Sequence, residues 1–283
     1  MFQERRPFFQ EHVLGEASRL KQCWKSLGEQ QFVRDNEAHA FAKAAGFELV
    51  PLGLHCDAGA FNKNDSLYVL IWNSLVGQGT TKQKRYVITV LKKSSLLADG
   101  STLAAMWKVV AWSLNALATV FFPDVDHNDG DLDAKRAARA GERLAEGLAG
   151  ITLQMRGDWQ WYCQCFGFPQ WNCAENMCWI CMAGNNNTYP WHDFRKCASW
   201  RGTERDHNQY LRDLASQGKL LPAVFLIRGF RLEGVVIDAM RCMDLGITLH
   251  IIGNILGEVV CSKRLASTQA ASVAVLWESI KAW

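Results

Sequence analysis

Several features are scarce or missing in this 283-residue sequence. Neither charge sign dominates: 31 Lys and Arg face 28 Asp and Glu, a formal net charge of +3. That is too small to identify an acidic partner from charge alone. No stretch approaches the ~18–20 uninterrupted apolar residues of a membrane span, so no membrane partner is expected. The opening MFQERRPFFQ mixes acid and base and lacks the apolar core of a secretory signal. A nuclear or cytoplasmic location is therefore expected. There thiols stay reduced and serve as buried side chains or metal ligands rather than disulfides. Internal repeats and low-complexity tracts are also absent. What is present suits a folded chain. Hydrophobic residues make up 49% and charged residues 21%, enough to build a full core. The length fits one large domain, or one domain with an inserted module.

Hydrophobic periodicity predicts a helical segment over 1–46, with Asn36 capping a helix that Gly46 stops. From Phe47 the pattern becomes extended. FELVPLGLHCD, SLYVLIWNSLV (66–76) and KRYVITVLKKS (84–94) read as three strands of an antiparallel meander, the first ending near Asp57. Ser101 or Thr102 then starts a helix that Pro123 ends, and AKRAARAGERLAEGLAG (134–150) reads as a second helix. ITLQMR (151–156) follows as a short strand closed by Gly157 and Asp158. Further on, a helix is predicted from Thr203 to Gly218, an extended stretch at GFRLEGVVIDAM, and a helix at DLGITLHIIGNILGEVV.

This order, with one Asp ending the first strand and another ending the fourth, is that of an α/β, RNase H-like mixed sheet with flanking helices. In that fold the first and fourth strands lie side by side, so Asp57 and Asp158 would meet at one end of the sheet. Two neighbouring carboxylates repel each other and take up protons or metal ions. Mg²⁺, or Mn²⁺, prefers such oxygen ligands, and a pair of ions can assist phosphoryl transfer. Taken singly, each Asp, with a Gly one or two residues away, reads more readily as a turn residue.

The ten cysteines are unevenly placed, six of them between Cys163 and Cys197. Cys178 and Cys181 form a C-x-x-C pair, a spacing that can chelate one tetrahedral Zn²⁺. His192 and Cys197 would complete a four-ligand set, and Cys173 is another option. Plain buried thiols are the blander reading. A redox pair should lie at a helix N-terminus, whereas a Gly-Asn loop follows this one. Cys163 and Cys165 read as packing. The tryptophans nearby (Trp159, Trp161, Trp171, Trp179, Trp191 and Trp200) would stack on bases if exposed, but core packing explains them too. KQKR (82–85) and LKKS (91–94) would touch phosphates or form a solvated sheet edge.

PLGLHCDAGAF, WSLNALATVFFPDVDH, RGDWQWYCQCFGFPQW with MCWICMA, and IDAMRCMDLGITLHIIGNIL together resemble transposase-derived proteins multiplied in dinoflagellate genomes. More distantly they are similar to CACTA-type DDE transposases. The resemblance spans about residues 45–260 and implies an RNase H-like DDE nuclease core with a C-x-x-C shortly after the second catalytic aspartate. Asp57 matches the first aspartate and Asp158 the second, and Cys178 lies 20 residues beyond Asp158. DNA is then the ancestral partner, and a homo-oligomer is admitted. The organisation this implies is an N-terminal helical segment (1–46), an RNase H-like core (47–172), a Cys/Trp-rich zinc segment (173–202) and a mostly helical insertion region (203–283). Relatives carry a histidine where this chain has Arg241, with Asp238 and His250 nearby. A third acid should follow the insertion, and only Glu258 and Glu278 stand in that region. The expectation is a truncated transposase-like protein, ancestrally a metal-dependent DNA strand cleavage and transfer enzyme, with cleavage impaired. The competing reading is a non-catalytic, zinc-containing DNA- or protein-binding module.

Overall fold

The computed structural model describes residues 6–144, 147–170, 172–173, 175, 177–237, 249–262 and 265–281. They fall into two units, 1–236 and 237–283. In chain order the principal elements are α1 (Ala17–Leu27), α2 (Glu37–Ala44), β1 (Glu48–Ala60), β2 (Ser66–Ser74), β3 (Tyr86–Lys92), α3 (Ser101–Thr119), β4 (Leu148–Gly157), α4 (Trp159–Phe166), α5 (His207–Ser216), β5 (Val235–Ile237), α6 (Leu249–Cys261) and α7 (Gln269–Lys281). The fold is α/β: one five-stranded mixed sheet in the order β3-β2-β1-β4-β5, with helices beside it. β1–β2 and β2–β3 are antiparallel, whereas β1–β4 is parallel.

The alternation of β1 explains why the sheet is covered on both faces. Val50, Leu52, Leu54 and Cys56 point into one core cluster, which also holds Trp107 and Leu114 of α3 and Trp161, Tyr162 and Phe166 of α4. Leu49 packs on the opposite cluster, where Ala38 and Ala42 of α2 meet Ala149, Ile151 and Leu153 of β4. Side chains at successive strand positions take opposite faces, so a centrally placed strand must be apolar at nearly every position.

The N-terminal helices form as expected, except that Gly15, at φ +65°, separates a short helical segment from α1. Asn36 does cap α2, its side chain accepting from His39 N. α3 stops at Thr119, before Pro123. The helix expected over 134–150 is reduced to 134–137. Tertiary pairing overrides the helix propensity there: Leu144 N donates to Val120 O, Gly141 N to Phe122 O, and Phe122 N to Glu142 O. The guanidinium of Arg139 lies 3.8 Å from the centre of the Phe122 ring. β4 consequently begins at Leu148, earlier than Ile151. The helix expected from Thr203 begins at His207, because Asp206 supplies the cap by accepting from Gln209 N. Of the extended stretch at 229–240, Val235–Ile237 is strand, and 238–240 lie outside the described residues.

WQWYCQCF, read from the sequence only as packing, forms the helix α4. Its buried residues, Trp161, Tyr162, Cys165 and Phe166, fall on one helical face. Asp158 opens the helix and Gly167, at φ +69°, closes it. Trp161 is fully buried, with its ring 5.3 Å from Tyr68 and 6.1 Å from Trp107. In the second unit, α6 forms where a helix was expected, and the side chain of Glu278 in α7 pairs with Lys281. Among the described residues no helix is long and apolar enough to cross a membrane.

Candidate functional site

The parallel pair β1–β4 sets the geometry of the two candidate acids. Leu52 pairs with Thr152, but Gly53 pairs with Gln154, so β4 carries one extra residue, Leu153, at a bulge. Beyond it the register runs through His55–Arg156 to Cys56–Gly157. The pairing ends there, and Asp158 follows as the first residue past β4; the same register carried one step further would set it level with Asp57. Parallel strands lie about 4.8 Å apart, and level residues point to the same face. Without the bulge Asp57 would stand level with Gly157, and Asp158 would point to the other face, because a one-residue slip inverts every side chain.

Both aspartates are half-buried. Asp57 Oδ1 accepts from the backbone N of Ala58 at 2.8 Å. Asp158 Oδ1 accepts from Trp161 N at 2.6 Å, which makes Asp158 the N-cap of α4. The structural role is therefore real, and it also fixes the carboxylate. A cap holds its side chain at the helix N-terminus, where the backbone dipoles favour negative charge. Gly157, expected only to close the strand, is the residue that allows this. A Cβ there would lie 2.7 Å from Trp161 Cδ1 and 2.9 Å from Cys56 O. The signal was available as a Gly immediately before a capping Asp.

Electrostatics around the pair follow from burial and negative charge. Burial pushes the Cys56 thiol far up, reinforced by Cys165, Asp57 and Asp158. Burial also raises Cys163, with Asp158 adding to it. Tyr68 is raised by burial, against the hydrogen bond its hydroxyl donates to Gln164 at 2.7 Å. These thiols stay neutral near pH 7 and serve packing, as expected for Cys163 and Cys165. Trp107 Nε1 donates to Cys165 Sγ. The partly buried Arg156 donates to Asn73 at 2.6 Å.

The C-x-x-C pair lies elsewhere in the chain. Cys178 is half-buried and Cys181 is buried. Arg205 clamps the turn, donating to Cys178 O at 3.2 Å and Cys181 O at 3.4 Å. Burial is the main cause that pushes the Cys181 thiol up to about 11. The pair sits in a turn and not at a helix N-terminus, and a raised pKa is the opposite of an activated redox thiol. His192 is exposed and lies edge-on to Trp191, while Cys197 and Cys173 are exposed. Among the described residues, no group of three or more His, Cys, Asp or Glu is gathered as a metal would require. The Cys178–Cys181 pair and the Asp57–Asp158 pair each stand as two residues.

Of the tryptophans offered as base-stacking candidates, Trp161 and Trp179 are buried in the core, Trp159 and Trp200 are half-buried, and Trp191 is exposed. Trp171, Asp238 and Arg241 lie outside the described residues. Glu258 on α6 and Glu278 on α7 are exposed. No family model, no curated protein and no solved structure matches the chain.

Proposed function

We propose that this chain is a transposase-derived, RNase H-like domain of the DDE type, with ancestral activity in metal-dependent DNA strand cleavage and transfer. The observation that carries this reading is the β4 bulge, which sets the register of adjacent parallel strands so that Asp57, near the end of β1, and Asp158, just past β4, follow the pair Cys56–Gly157. The sheet order β3-β2-β1-β4-β5, with β2 antiparallel to both neighbours, also supports it. Asp57 and Asp158 offer hard oxygen donors at half-buried positions, which suits Mg²⁺ or Mn²⁺. Bound there, a divalent cation supplies Lewis acidity for phosphodiester cleavage. The chain's own contribution is to hold both carboxylates still: Asp158 through its cap on α4, and Asp57 through its strand. Two acids bind such ions more weakly than three, so cleavage is expected to be slow.

In this reading Cys178 and Cys181 hold a structural Zn²⁺, with His192 and Cys197 as the further ligands. The turn clamped by Arg205 supports the first half of that set. Because a thiol with a pKa of about 11 is protonated at neutral pH, metal must displace its proton. Zinc affinity should therefore fall as pH falls. The purified chain should carry about one zinc, and Cys181→Ser should lose it. Elemental analysis checks this, and zinc retained in full by the variant would refute the assignment.

A second reading is favoured by the lack of a three-residue metal group among the described residues: a non-catalytic module that binds DNA or protein. A nicking assay on supercoiled duplex DNA with Mg²⁺ or Mn²⁺ separates the two. Slow nicking that depends on Asp57 and Asp158 supports the nuclease, and its complete absence supports the binding module.

A further inference from the structure

The loop joining β1 to β2 lies at the same end of the sheet as the aspartates. Ala58, Gly59 and Ala60 continue β1 beyond Asp57, paired with Tyr68, Leu67 and Ser66. Leu67 in turn pairs with Lys92 at the end of β3. The tip at residue 60 is three residues from Asp57, roughly 10 Å along the strand.

We infer that this tip seats a single nucleic-acid strand, with Phe61 stacking against an unpaired base and Lys63, Lys92 and Lys93 meeting its phosphates. The inference rests on the phosphodiester chemistry proposed above and names the part of the substrate that this surface takes. Phe61 is 57% exposed, and Lys92 Nζ stands 6.0 Å from its ring centre. The three lysines are all exposed. The one acid at the tip is already engaged. The Asp65 carboxylate accepts from Ser94 Oγ at 2.5 Å, Ser94 N at 3.1 Å and Ser66 N at 2.9 Å. Its backbone carbonyl accepts from Phe61 N and Asn62 N. These bonds fasten the loop to the end of β3, so the ring and the ammonium groups are held on one frame. A polar cleft of about 490 Å³ opens beside them, lined by Asn62, Lys63, Lys93 and Ser94 among others.

Charge and shape both select a nucleic-acid strand. Three cations around one internally bonded carboxylate attract a polyanion. A protruding ring beside lysines offers every base a π-face and every phosphate a cation, the combination that binds single strands without reading sequence. In a closed duplex the base faces are stacked on each other and closed to Phe61. An unpaired strand is therefore the occupant that uses the ring.

The test is fluorescence anisotropy of a labelled single-stranded oligonucleotide with the full chain, in EDTA so that no cleavage occurs. Phe61→Ala should weaken binding about tenfold, and Phe61→Trp should retain it. The double variant Lys92→Ala/Lys93→Ala should flatten the slope of log affinity against log salt by about 1.4. All of these side chains are exposed, so the variants should fold, which circular dichroism checks. Phe194→Ala removes a ring that is 72% exposed elsewhere and should leave binding unchanged. Wild-type affinity in the Phe61 and lysine variants overturns the inference, as does an equal loss in Phe194→Ala. Nicking separates this from the carboxylate reading. Tip variants that bind normally beside intact Asp158-dependent nicking would sink the tip alone. Phe61-dependent binding without any nicking would sink the nuclease alone.

Discussion

Asp158→Asn should abolish metal-dependent nicking and leave the fold as stable as the wild type. The two roles of this residue predict different outcomes for different substitutions. As the N-cap of α4, Asp158 needs only a side-chain oxygen to accept from Trp161 N, and Asn caps about as well as Asp. As a metal ligand it needs its charge. Loss of one of two anionic ligands removes several kcal/mol of metal-dependent stabilisation, roughly 10²-fold or more in rate. Asp158→Ala should lose both functions: the nicking, and about 1 kcal/mol of stability through the missing cap. Nicking rates measured beside urea unfolding midpoints for the two variants separate the roles. An Asn variant that nicks at the wild-type rate would leave Asp158 as a cap and nothing more.

Gly157→Ala should destabilise the domain by about 1–3 kcal/mol, the usual cost of overpacking a tight site, and should disturb nicking as well. The added Cβ would fall 2.7 Å from Trp161 Cδ1 and 2.9 Å from Cys56 O. Neither neighbour has room to withdraw. The Trp161 ring is fully buried between Tyr68 and Trp107, and Cys56 O belongs to the backbone of β1. The least costly relief is separation of β1 from β4 around Cys56 and Gly157, the residues just before Asp57 and Asp158. A urea midpoint equal to that of the wild type would contradict this packing argument.

These two residues illustrate what the sequence made legible. The meander and the fourth strand could be read because β-branched and aromatic runs are bounded by turn residues. Asp158 was legible as the residue closing the fourth strand, whereas the first strand runs on past Asp57 to Ala60. The bulge at Leu153 could not be read. It comes from pairing between strands about a hundred positions apart and leaves no local mark, yet it sets the register that leads up to the two aspartates. The helix expected over 134–150, which at the described residues 138–144 does not form, has the same kind of cause. Its Ala, Leu, Arg and Glu favour a helix locally, but its backbone is engaged by residues 120–122. At α4 the stretch read only as packing, although the 3.6-residue pattern and both caps are present in DWQWYCQCFG. For the thiols, spacing gave the Cys178–Cys181 turn, while the clamp by Arg205 is a long-range contact that no local pattern announces.

The claim on which the rest depends is that Asp57 and Asp158 act together as a divalent-metal site. Mn²⁺ titration followed by the loss of the free-ion electron paramagnetic resonance signal measures it without requiring turnover. The wild-type chain should take up Mn²⁺, and Asp57→Asn and Asp158→Asn should each remove that uptake while unfolding at the wild-type urea midpoint. Equal Mn²⁺ uptake by the wild type and both variants would contradict the claim.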